Sequence, residues 1–127
     1  LPPNVPRSLV RVPDDVPPEV TVLTSGDSRG LTDLAVGAEL VLLLPANRTM
    51  GYGWRMVPDP QAILEPSANP AYVTDPAAAA RVGAPGLEVF RFRAPAAGQQ
   101  ILRFEYRRSW DASTPETPSV TFTVRVR

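Results

Sequence analysis

Histidine, cysteine and lysine are all absent from the 127 residues, so every one of the thirteen cationic side chains is an arginine. Those absences exclude whole classes of chemistry. Ser-His-Asp and Cys-His nucleophile systems, Ser-Lys dyads, Schiff bases and His/Cys zinc sites each need a residue this chain does not have. Carboxylate-pair hydrolysis and oxygen-ligand calcium or magnesium sites stay open in principle. The thirteen acids are scattered, however, with one adjacent pair, Asp14-Asp15, in a proline-rich stretch and no D-x-[DN]-x-[DN]-G loop. No catalytic residue, metal ligand or cofactor is therefore expected. Acids and arginines balance at thirteen each, which argues against a nucleic-acid or membrane-surface binder, because phosphate contacts need a basic excess. The longest apolar run, Leu40-Val41-Leu42-Leu43-Leu44, is strand-sized and far shorter than a membrane span. A chain of this length buries the core of one domain without disulfide staples.

Proline is the residue the chain has in excess. Pro2, Pro3, Pro6, Pro13, Pro17 and Pro18 make residues 1–18 an extended arm or linker rather than a packed element. The first residue is Leu1, not Met, so a removed export signal or lipid anchor and a secreted, periplasmic or surface-anchored location are the expectation. From Glu19 onward, short apolar or alternating runs are separated by Gly, Pro, Asn and Asp, the pattern of an all-β sandwich or barrel. The runs are Val20 to Thr24, Leu31 to Val36, Glu39 to Leu44, Trp54 to Val57, Leu87 to Ala94, Gln99 to Tyr106 and Val120 to Arg127. They predict about seven strands. In the last three, Phe90 and Phe92 alternate with Arg91 and Arg93, Leu102, Phe104 and Tyr106 with Arg103 and Glu105, and Val120, Phe122, Val124 and Val126 with Thr121, Thr123 and Arg125. A period of two puts each apolar set on one core-facing side and the charged set in water. Ala77 to Ala80 permits at most a short helical turn.

Three connections carry more than turn chemistry. Asn47-Arg48-Thr49-Met50-Gly51-Tyr52 precedes Trp54, with Gly51 placed to supply a positive φ. Gly83-Ala84-Pro85-Gly86 lies directly before a strand, and Arg108-Ser109-Trp110 ends one. Each alone also reads as an ordinary turn. In this order, at strand-like spacing from about Glu19 to Arg127, they resemble the chagasin-like family of cysteine-peptidase inhibitors. That family has an Asn-Pro-Thr-Thr-Gly-Tyr loop, a Gly-x-Gly-Gly loop and an Arg-Pro-Trp loop on an immunoglobulin-like β-sandwich.

The resemblance implies a monomeric inhibitor that is not an enzyme and whose partner is a papain-like cysteine peptidase. Asn47, Arg48, Thr49, Met50, Gly51 and Tyr52 would enter the active-site cleft, with Gly83, Ala84, Pro85 and Gly86 on one rim and Arg108, Ser109 and Trp110 on the other. Trp110 would be the aromatic anchor, Arg108 a planar rim contact, Tyr52 a buttress, and Trp54 a core residue beneath the loop. Arg48, Met50, Pro85 and Ser109 depart from the family pattern. Two of these positions lose a proline, which predicts looser first and third loops, while Pro85 removes a backbone donor from the middle one. An immunoglobulin-like adhesion or assembly module using the same loops is the alternative, since fold alone does not decide function. Asn47-Arg48-Thr49 also matches the N-glycosylation sequon, and a glycan there would block insertion.

Overall fold

The computed structural model describes residues 20–74 and 86–127. The proline-rich arm, the Ala77 to Ala80 segment and Gly83, Ala84 and Pro85 of the middle loop lie outside these residues. Among the described residues nine strands form: β1 (Val20–Thr24), β2 (Leu31–Leu34), β3 (Glu39–Ala46), β4 (Gly53–Met56), β5 (Glu65–Pro66), β6 (Ala71–Thr74), β7 (Gly86–Arg93), β8 (Gly98–Arg107) and β9 (Ser119–Val126). One sheet runs β1-β3-β7-β5, with β6 also paired to β7; the other runs β2-β9-β8-β4. The result is the all-β architecture that the alternating runs predict, in the immunoglobulin-like sandwich form that the family resemblance implies. Pairs β1 with β3 and β2 with β9 are parallel, and the others are antiparallel.

All seven expected runs are strands, with shifted ends that have local causes. β2 stops at Leu34, short of Val36, because the chain turns there: Ala38 N–H donates to Ala35 O at 3.0 Å and Gly37 takes φ +89°. β3 continues past Leu44, pairing Pro45 with Leu87 and Ala46 with Gly86. The two strands that periodicity did not show, β5 and β6, pair in tandem along one edge of β7. A two-residue strand has no alternation to detect, and its Pro66 is tolerated because the strand is an edge.

Leu23, Leu40, Leu42, Leu44, Phe90 and Phe92 of one sheet meet Leu34, Leu102, Phe104, Phe122, Val124 and Val126 of the other in a single core. Phe104 joins the layers, 4.8 Å from Phe90 across the interface and 6.4 Å from Phe122 beside it. Arg91, Arg93 and Arg103 face water as their parity requires. Two side chains, Glu105 and Trp54, differ from expectation, and a third, Glu88, had no stated expectation. Glu105 is buried rather than solvated, Glu88 is buried, and Trp54 is half-buried at the margin of the core rather than inside it. Far along the second sheet, Arg125 reaches Asp33 with two hydrogen bonds of 2.8 and 3.3 Å, tying parallel β2 to β9. Those bonds hold the Asp33 carboxyl below its ordinary range.

Candidate functional site

The aromatic residues divide by polarity. All four phenylalanines lie in the core, whereas the three tyrosines and two tryptophans gather where β3, β4, β6 and β8 deliver their loops. The reason is visible at the end of β3. There the strand is still paired with β7 but has run past β1, whose ladder ends at Leu43, and carbonyls without a ladder donor need other donors. Trp54 Nε1 donates to Pro45 O at 2.8 Å, and the Tyr72 hydroxyl to Ala46 O at 3.3 Å. The Tyr106 hydroxyl accepts from Asn47 N–H and donates to Asn47 O, both at 3.0 Å. Three consecutive residues are thus held by aromatic tips from three different strands.

Beyond Asn47 the chain makes one 3-10 turn, Arg48–Met50, closed by Gly51 N–H on Arg48 O at 3.0 Å. Gly51 has φ +84°, the left-handed conformation expected of it. Met50 is 70% exposed. Tyr52 stacks on Tyr106 with centroids 5.5 Å apart, a buttress at the loop's base. Arg48 turns back toward the domain: its Nε lies 3.3 Å from Glu88 Oε1 and its guanidinium 4.3 Å above the Tyr72 ring. The other Glu88 oxygen accepts from Trp54 N–H at 2.8 Å. A buried carboxylate is costly unless paired and hydrogen-bonded, and Glu88 is both.

The third loop is closed by its own clamp. Arg108 binds Asp111 in a forked pair, Nε to Oδ2 at 2.8 Å and Nη2 to Oδ1 at 3.2 Å, over a turn in which Asp111 N–H donates to Arg108 O at 3.1 Å. Arg107 Nη1 adds a bond to Asp111 O at 3.0 Å. The Arg108 hydrogen bonds hold the Asp111 carboxyl below its ordinary range, against a smaller opposing effect of desolvation. The same guanidinium lies 5.1 Å from the Tyr52 ring and 5.4 Å from the Trp110 ring. Trp110 is 70% exposed, and its Cη2 would lie 3.1 Å from a Cβ at Gly51. The first and third loops therefore touch, with glycine leaving the space for the indole. At the loop's far end Ser113 Oγ donates to the buried Glu105 carboxylate, which explains why that acid is not in water.

The residues 47–52 and 108–110 singled out from the sequence are thus brought together at one end of the sandwich. Gly86 opens β7 nearby, where an added Cβ would lie 2.6 Å from Tyr72 Cζ and 2.7 Å from Val73 O. That glycine is needed for the close approach of β6. Sequence reasoning missed Tyr72, Glu88 and Asp111. Glu88 carried a readable signal, since it shares parity with Phe90 and Phe92 and so had to face inward. Among the described residues the site presents two strongly exposed apolar side chains, Met50 and Trp110, on a hydrogen-bonded frame.

Comparison with known proteins agrees with that picture. The sequence profile described as chagasin family peptidase inhibitor I42 matches residues 33–126. A search of curated proteins gave no match. Among solved structures, the cysteine protease inhibitor EhICP2 from Entamoeba histolytica superposes with a TM-score of 0.74 at 19% identity, covering 86% of this chain and 96% of that one. Amebosin gives 0.67 at 24% identity over 87% and 99% of the two chains. PbICP-C, solved in complex with falcipain-2, gives 0.52 at 16% identity over 86% and 92%. At these identities the structures show a shared fold. The profile match, spanning most of the chain, shows the family: this chain belongs to the chagasin family of peptidase inhibitors.

Proposed function

We propose that this family member reversibly inhibits papain-like cysteine peptidases by placing its Asn47–Tyr52 loop in the active-site cleft. The Gly83–Gly86 and Arg108–Trp110 loops flank it on the rims. One observation carries the reading: Met50 and Trp110, the most exposed large apolar side chains among the described residues at 70% each, stand on loops that touch at Gly51. Exposed apolar groups on a frame that is already ordered bind at low entropic cost. Two of the structural neighbours support the peptidase class, one by its name as a cysteine protease inhibitor and one by its complex with falcipain-2.

The same geometry accounts for inhibition without turnover. A scissile peptide must reach a near-attack arrangement with the enzyme nucleophile. The tip here is instead a closed 3-10 turn whose Arg48 carbonyl is held by Gly51 N–H at 3.0 Å. The loop fills the cleft while its backbone stays out of line for attack, so the chain acts as a binding protein and not as an enzyme.

The test is titration of papain and a cathepsin-L-type enzyme with the purified chain. Competitive inhibition is expected, with the inhibitor intact by mass after prolonged incubation. Thr49→Glu combined with Met50→Arg is expected to abolish it while moving the melting temperature by less than about 2 °C, since Met50 is exposed and surface loop substitutions contribute little to folding. Cleavage within the loop, or equal inhibition by the double variant, would remove the loop from its role as the plug. No inhibition by the wild-type chain at tens of micromolar would favour the adhesion-module reading.

A further inference from the structure

We propose that the buried Glu88 carboxylate is a positioning residue for the first loop, clasping both of its ends, and that Arg48 is a brace for that clasp rather than a contact with the peptidase. The proposal rests on the reading of residues 47–52 as the inhibitory loop.

Glu88 is 2% exposed on a strand whose same face carries Phe90 and Phe92. An apolar residue there would fill the space without the cost of burying a charge. What the carboxylate achieves is geometric. Oε1 lies 3.3 Å from Arg48 Nε at the start of the loop, and Oε2 accepts from Trp54 N–H at 2.8 Å just past its end. Gly53 makes room for this: a Cβ there would stand 3.0 Å from Oε1. The Arg48 guanidinium reaches this carboxylate while lying 4.3 Å from the Tyr72 ring centroid, so both of its partners belong to the domain although 51% of the side chain stays exposed. A loop pinned on both sides of its tip has fewer conformations to lose when it binds. The pin also belongs to β7, the strand that begins at Gly86, so one strand sets the first loop relative to the position where the middle loop ends.

The test compares Glu88→Gln, Arg48→Met, Arg48→Met/Glu88→Gln and Arg48→Pro/Glu88→Gln with the wild type. Inhibition constants are corrected for the folded fraction, and hydrogen exchange is followed at the Trp54 amide and the loop amides. Glu88→Gln is expected to raise the inhibition constant about fivefold or more, with faster exchange at Trp54. Arg48→Met/Glu88→Gln leaves no lone buried charge and folds, yet inhibits no better. Arg48→Pro/Glu88→Gln recovers most of the loss, because proline fixes φ at the first residue of the turn by a different physical route. A purely structural role for Glu88 would not be rescued in this way. Wild-type inhibition by Glu88→Gln, with loss in Arg48→Met, would make Arg48 a peptidase contact and overturn the proposal. So would unchanged exchange at Trp54 in Glu88→Gln. Should the wild type itself fail to inhibit, the functional reading falls, and the exchange data alone decide whether Glu88 clasps the loop.

Discussion

Truncating the two tryptophans separates scaffold from interface, because the structure gives them opposite surroundings. Trp54 packs against the core cluster, places its ring 5.0 Å from Tyr106 and donates to Pro45 O at 2.8 Å. Removing a fully buried aromatic costs about 3–5 kcal/mol. Trp54 is only half-buried, which lowers the packing loss, while the orphaned Pro45 carbonyl adds about 1 kcal/mol. The expected cost of Trp54→Ala is therefore about 3 kcal/mol, a fall of about 12 °C in melting temperature for a domain of this size. Trp110, at 70% exposure, supports little of the fold. Trp110→Ala is expected to cost less than about 1 kcal/mol of stability and to weaken inhibition about thirtyfold, the loss of about 2 kcal/mol typical of an aromatic anchor.

Thermal melts and peptidase titrations on both variants, expressed per folded molecule, decide the matter. Trp54→Ala should melt early and inhibit in proportion to its folded fraction, within the few-fold change expected from loosening Pro45. A Trp110→Ala protein that melts early and inhibits normally would show that core and interface had been exchanged. If neither variant changes inhibition per folded molecule, the peptidase contacts lie elsewhere on the domain.

Gly51→Ala forces an L side chain into φ +84° and sets its Cβ 3.1 Å from Trp110 Cη2, so about 1–2 kcal/mol of strain and a weaker inhibition constant are expected; wild-type inhibition would refute the contact between the loops. The pH response follows from the Arg108 clamp. Asp111 is held below its unfolded value, so the clamp's stabilisation is complete above about pH 4 and is lost as pH falls through the lower folded value. With no histidine in the chain, the near-UV signal of the third loop should stay constant from pH 8 to pH 5; a transition inside that window would refute the assignment.

The sandwich was legible in the sequence wherever one face of a strand met the core and the other met water. Phe90 against Arg91 and Phe122 against Thr123 gave both the strand and its orientation. β5 and β6 were not legible, since Glu65-Pro66 is too short to alternate and Ala71–Thr74 follows Pro70. Glu105 was misplaced for another reason. Parity put it in water, but the third loop folds back over it and supplies Ser113, eight residues along the chain, a loop contact that strand alternation does not encode. Loop membership was readable from Asn47 to Tyr52 and from Arg108 to Trp110. The partners of those residues were not, because Glu88 and Tyr72 reach the first loop from other strands.

The lost prolines bring these strands of argument together. Replacing proline by Arg48 and Ser109 predicts looser loops if each loop is considered by itself, since proline acts by restricting the unfolded chain. Both loops instead carry an arginine–carboxylate tie: Arg48 to Glu88 at 3.3 Å in the first and Arg108 to Asp111 at 2.8 Å in the third. The two ties are not equivalent. The Arg108 pair is local and forked, so it orders its own turn, and its guanidinium also lies 5.1 Å from the Tyr52 ring of the first loop. Arg48 engages a carboxylate that is 3% exposed and already bonded to Trp54 N–H, so it couples its loop to β7 and, through the Trp54 backbone, to β4. A proline would have stiffened the first loop alone. An arginine in its place makes the loop's shape depend on the packing of the sandwich beneath it, so core variants near Glu88 should weaken inhibition before they unfold the domain.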